Sequence, residues 1–149
     1  YHQLGITDRA AASLRTALKL DPDLRGAYAM LGNVLYSAQD IEGAIEAYAK
    51  AVRQDPHDHG SLNNLAWVYA ETGQRLDEGV RLSRRSLRLS PDSPTYLDTL
   101  AELYYRKQEF EKAAELVRVA ISMEPEDPQL REHLQEQLSK FLAAGGGKV

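Results

Sequence analysis

The chain of 149 residues sets 18 Lys and Arg against 22 Asp and Glu, a formal net charge of −4, and is 43% apolar and 27% charged. That balance suits a soluble globular protein and lacks the broad basic footprint of a nucleic-acid or anionic-membrane binder. The absence of cysteine excludes disulfides, thiolate metal sites and a cysteine nucleophile, and no apolar run approaches the roughly 20 residues of a bilayer-spanning helix.

In chain order, residues 1–5 read as the tail of a helix and 8–20 as a lone helix. Asp21-Pro22 ends it, because proline disfavours helical geometry in the residue before it. Apolar residues at three- and four-residue steps then predict helix pairs at 24–37 with 40–54, 59–72 with 76–89, and 94–106 with 109–123. Asp40 is a predicted N-cap, Gly73 a left-handed stop, and Ser93-Pro94 a hydroxyl cap followed by proline at the first helical position. Asp127-Pro128 opens a last helix over 128–142, with an apolar stripe of Leu130, Leu134, Leu138, Phe141 and Leu142 suited to capping a stack. Residues 143–149 read as a flexible tail. No signal peptide is visible, but the chain opens on Tyr1 in mid-repeat. That leaves room for a targeting segment upstream, and cytoplasm and periplasm stay equally open.

Four prolines, Pro22, Pro56, Pro91 and Pro125, recur at intervals of 34, 35 and 34 residues. Before each lies a small–medium–small trio: Ala10/Leu14/Ala17, Ala44/Tyr48/Ala51, Gly79/Ser83/Ser86 and Ala113/Val117/Ala120. After the first three comes a second set: Tyr28/Leu31/Gly32/Leu35, Leu62/Leu65/Ala66/Tyr69 and Leu97/Leu100/Ala101/Tyr104. A fixed period of this length marks a solenoid. These residues at these spacings resemble the tetratricopeptide-repeat family over about 1–125, most closely in Tyr28, Leu31, Gly32, Leu35, Ala44, Tyr48, Ala51 and Pro56. The expected fold is an all-α, right-handed solenoid in one domain, 1–142. It holds a half repeat 1–22, repeats 23–56, 57–91 and 92–125, and the capping helix. The second full repeat has one extra turn residue and an unusually small, polar trio, and is the expected weak pair.

The resemblance implies packing, not a site. Enzyme signals are absent: there is no phosphate loop, nucleophile elbow or paired-histidine metal motif, and no enzyme activity, cofactor or metal is expected. His57-Asp58-His59 reads as a solvated turn, His2 as frayed, and His133 as lying on the outer face of the last helix without a partner. The first helix of each pair lines the concave side of such a solenoid. Its groove positions include Asn33, Tyr36, Asn63, Trp67, Asp98, Glu102 and Tyr105, with neighbouring Asn64. The amides suit a peptide backbone and the aromatics suit side-chain anchoring.

Some members of the family clamp the acidic C-terminal tail of heat-shock chaperones. Asn33 and Asn64 match two clamp asparagines, but Ala29, Thr95 and Thr99 stand where its cations would be. Asp98 and Glu102 would repel an acidic tail, so a neutral or basic peptide is expected. Arg81, Arg84, Arg85 and Arg88 share one helix face, read as a solvated convex surface. The expected function is a protein-interaction scaffold holding a peptide in its groove. Self-association through residues 1–20, where an incomplete repeat would expose an apolar face, is one alternative. A targeting arm of a larger enzyme is another.

Overall fold

Apolar residues spaced for one helical face, punctuated by prolines, produce helices and nothing else in the described residues, 2–146, of the computed structural model. The elements are α1 His2–Leu20, α2 Ala27–Ser37, α3 Ile41–Gln54, α4 His59–Thr72, α5 Leu76–Leu89, α6 Pro94–Arg106, α7 Phe110–Ser122 and α8 Pro128–Gly146. This is the all-α architecture of the tetratricopeptide solenoid class. Two compact units make up the chain, Tyr1–Leu65 and Ala66–Val149, with the boundary inside α4.

The predicted punctuation is present. The Asp40 carboxylate accepts from the Gly43 N–H at 3.0 Å, the Ser93 hydroxyl accepts from the Tyr96 N–H at 3.2 Å, and Gly73 is left-handed with φ 69°. Three boundaries differ from expectation. First, α1 is one helix from His2, with no break before residue 8: Gly5 costs only about 1 kcal/mol in a helix, and the Thr7 hydroxyl donates to the Leu4 carbonyl within it at 2.8 Å. Second, α2 starts at Ala27 and not at 24, because Gly26 takes a left-handed φ of 81° that no helical residue adopts. Third, α8 runs four residues past 142, so 143–146 are helical and not tail. Its end lies against α7, where a Cβ on Gly145 would sit 3.5 Å from Phe110 Cβ. Residues 147–149 lie outside the described residues.

In unit 1, α2 and α3 cross where Gly32 meets Tyr48. A Cβ on Gly32 would lie 2.5 Å from two atoms of the Tyr48 ring, so only glycine permits this approach. α1 covers α2 through buried Ala11 and Leu18, and leaves Leu4 and Ile6 each 56% exposed. In unit 2, Leu100, Ala101, Leu103, Ala113, Val117 and Leu134 form the core.

The extra turn residue before α5 shows as a second left-handed residue. The turns before α3 and α7 use one each, Gln39 and Gln108, whereas this turn uses both Gly73 and Arg75, the latter at φ 46°. A non-glycine residue there costs roughly 1–2 kcal/mol. α5 also lacks a side-chain cap, and the buried Ser83 hydroxyl has no hydrogen-bond partner.

The apolar stripe of α8 is shifted from expectation. Leu134, Gln137 and Phe141 are buried, and Leu142 is exposed.

Candidate functional site

Among the candidate groove residues, unit 1 brings Asn33 on α2 and Asn64 on α4 into hydrogen-bond contact; Tyr36 follows Asn33 by three residues on α2, and Asn63 precedes Asn64 on α4. Asn33 is exposed but oriented from below: its Oδ1 accepts from the Tyr48 hydroxyl at 2.7 Å and from Asn64 Nδ2 at 3.3 Å. Burial first, and the neighbouring Tyr36 second, push the Tyr48 hydroxyl up to about 12, so it remains a neutral donor at any physiological pH. With both acceptor lone pairs of Asn33 engaged, its amide nitrogen is the end offered to an incoming carbonyl, and the Asn64 oxygen is offered to an incoming N–H. Asn63 differs from expectation: it is only 6% exposed, and its carbonyl oxygen has no hydrogen-bond partner among the described residues. A buried acceptor left in this state is uncommon in folded proteins. Trp67 follows Asn63 by four residues on α4 and is half-buried. Ala70, another groove position by spacing, is fully buried packing.

The acidic candidates have a different fate. Asp98 and Glu102 on α6 are 6% and 7% exposed, because α8 lies over them. His133 Nε2 is 2.7 Å from Asp98 Oδ2. Gln137 Nε2 donates to Asp98 Oδ1 and to Glu102 Oε2, both at 3.1 Å. Lys140 Nζ donates to Glu102 Oε2 at 3.0 Å, and Arg106 Nε to Glu102 Oε1 at 3.3 Å. Burial pushes the Glu102 carboxyl up, but the hydrogen bonds from Gln137, Lys140 and Arg106 outweigh it and hold the group below the usual carboxylate range.

Tyr105 packs on Phe110 and Phe141, with ring centroids 5.7 and 5.1 Å away, and Lys140 Nζ sits 4.5 Å over its ring. Asp98, Glu102 and Tyr105 therefore serve the cap and do not form an open acidic groove floor. His133 is a partner of Asp98 and not a lone outer residue. Sequence reasoning missed His133, Gln137 and Lys140 because it followed only the apolar stripe of the last helix. Their i, i+4, i+7 spacing, matched to Asp98 and Glu102 at i, i+4, was the available signal.

The arginine face is also partly structural. Arg81, Arg84 and Arg88 are exposed, but Arg84 donates to the Tyr104 hydroxyl at 2.5 Å. Among the described residues no group of three His, Asp or Glu side chains is placed to hold a metal ion, and no helix is long and apolar enough to cross a membrane.

Helix pairs with small-residue crossings and a polar first-helix face define a tetratricopeptide-repeat module. The chain belongs to the family described as the cytochrome c-type biogenesis protein H TPR domain, whose model matches residues 7–131. It is similar to the Hsp70-Hsp90 organizing protein of Triticum aestivum, 22% identical over 147 residues, covering 99% of this chain and 25% of that protein. Protein PHOX1 of Arabidopsis thaliana is 30% identical over 120 residues, covering 77% of this chain and 16% of that one. The chain thus spans about a quarter or less of these relatives.

Among solved structures, MamA from Desulfovibrio magneticus RS-1 superposes with a TM-score of 0.73 at 25% identity, covering 81% of this chain and 68% of that one. A second MamA crystal structure reaches 0.76 at 21% identity, over 97% and 91%, and speaks to fold alone. The relatives support a general role as a protein-interaction adaptor, the non-catalytic kind of work typical of such repeats.

Proposed function

We propose that this chain is an adaptor that holds an extended or helical peptide segment of another protein, within a larger protein of the cytochrome c-type biogenesis kind. The observation that carries this reading is the Tyr48–Asn33–Asn64 relay, which orients two exposed or half-exposed amides without using their outward-facing groups. Asn33 and Asn64 would bond the peptide backbone, and Tyr36 would anchor a side chain.

Of the expected neutral or basic peptide, the basic kind loses its basis, since His133, Gln137 and Lys140 already occupy Asp98 and Glu102. Ala29, Thr95 and Thr99 supply no cation for an acidic tail. A neutral segment is the better fit.

The test is a pull-down with the chain and with an Asn33→Ala/Asn64→Ala variant, followed by calorimetry on the partner identified. A loss of about 2 kcal/mol or more in the variant supports the reading; equal affinity refutes it. Leu4 and Ile6, exposed on α1, favour a second reading of self-association. Light scattering of the wild type against Leu4→Glu/Ile6→Glu across the micromolar range decides it, and a constant monomer mass in both removes it.

A further inference from the structure

Unit 1 contains a cleft that shares no residue with the proposed peptide site. Its volume is about 330 Å3, at the small end of the roughly 300–1,000 Å3 typical of ligand pockets. Leu18, Leu31, Leu35 and Ala47 line it between α1 and α3, over α2. Arg15 and Lys19 from α1 and Lys50 from α3 stand at its rim; Lys50 pairs with Glu46 at 3.0 Å.

The repeat period supplies an internal comparison. Aligning the trio Ala10/Leu14/Ala17 with Gly79/Ser83/Ser86, and the following pair likewise, matches Arg15 with Arg84 and Leu35 with Tyr104. It also matches Gly43 with Lys112 and Ala47 with Leu116. In unit 2 this space is filled. Tyr104 is buried, its hydroxyl accepts from Arg84 at 2.5 Å, and Lys112 Nζ lies 5.3 Å over its ring. In unit 1 the tyrosine, the lysine and the leucine are each replaced by something smaller, yet the arginine remains; Tyr28 is larger than its counterpart Leu97, and it lies at the rim under Lys50, whose Nζ is 5.6 Å from the Tyr28 ring centroid. Arg15 is exposed and makes no hydrogen bond or ion pair with the described residues. The cleft is a tyrosine socket that keeps its guanidinium and lacks its tyrosine.

We propose that this cleft takes the tyrosine side chain of a partner protein's acidic segment. The ring would lie on Leu31 and Leu35, and its hydroxyl would accept from Arg15 as that of Tyr104 does from Arg84. Carboxylates on either side would face Lys19 and Lys50. Three cations against one already paired carboxylate, in a chain of net charge −4, give the rim its complementarity to an acidic segment.

The test uses the whole chain, isotope-labelled for NMR, titrated with the capped tripeptide Asp-Tyr-Glu and its Phe and Ala analogues. Two variants accompany it. Leu35→Tyr/Ala47→Leu refills the socket as unit 2 does. Gly43 is left alone, because a Cβ there would meet Asp40 Oδ2 at 2.5 Å and disturb the α3 cap. Arg15→Met removes the guanidinium donors and leaves an apolar side chain of similar length.

Saturable shifts in α1, α2 and α3 are expected with the Tyr peptide, about three- to tenfold weaker with Phe and absent with Ala. The refilled variant should lose binding while its unfolding midpoint holds or rises. In Arg15→Met the Tyr and Phe peptides should bind equally. The proposal is overturned if binding survives in the refilled variant, if Tyr and Phe peptides bind the wild type equally, or if no saturable shift appears. It is also overturned if the refilled variant instead abolishes a dimer seen without peptide, which would assign the cleft to a second copy. Because Asn33 and Asn64 are untouched, a failure here leaves the peptide-groove reading standing.

Discussion

Gly32→Ala tests the packing on which the amide relay depends, and it tests it by sign. In an unobstructed helix this change stabilises by about 1 kcal/mol, since alanine is the better helix former. Here the added methyl meets Tyr48 Cδ1 and Cε1 at 2.5 Å and Cγ at 3.0 Å. The ring has little room to swing: Tyr48 is 3% exposed and its hydroxyl is held by Asn33. Either α2 and α3 separate, or Tyr48 rotates and gives up that bond. Overpacking of this kind costs roughly 1–3 kcal/mol, and the lost hydrogen bond about 1 kcal/mol more. The clash outweighs the propensity gain, so a net loss of about 1–3 kcal/mol is expected.

Urea unfolding followed by far-UV circular dichroism measures it. Gly5→Ala is the control, because nothing lies within 4 Å of a Cβ at that position; it should show only the propensity gain. If Gly32→Ala matches Gly5→Ala, the close crossing is wrong, and so is the orientation of Asn33 that it supports.

Leu100→Ala should lower stability by about 2–5 kcal/mol, as other large-to-small changes in a core do, and a loss under about half a kcal/mol by urea unfolding would put the repeat register in doubt. Arg75→Gly should raise the unfolding midpoint by relieving about 1 kcal/mol of left-handed strain; a lower midpoint would show that the Arg75 side chain matters more than its backbone. Glu102 tests the α8 contact by pH. Its carboxyl is held below its unfolded value of about 4.3, so its contribution is complete above that pH and is lost as pH falls through the lower folded value. Stability of the wild type should therefore fall more steeply below about pH 4.3 than that of Glu102→Gln, and parallel profiles would remove the carboxylate from the contact.

The proline beat, the trios and the caps at Asp40 and Ser93 were legible in the sequence because each acts locally. A proline constrains its predecessor, a cap bonds three residues on, and a small residue at a fixed phase lets a neighbouring helix approach. These determined the helix pairs and the family resemblance, and they put Asn33 and Asn64 on the first helices of successive pairs, where the two amides are hydrogen-bonded. What faces what across long separations was not local, and only the tertiary structure decided it. Asp98 and Glu102 read as open floor because nothing near them in sequence covers them; α8 does, with residues 35 to 39 positions away. The Tyr104 socket and its vacant counterpart at Leu35 likewise emerge only when three helices close around them. A side chain's packing value depends on the volume its neighbours leave, and that volume is a property of the assembled helices and not of the period that generates them.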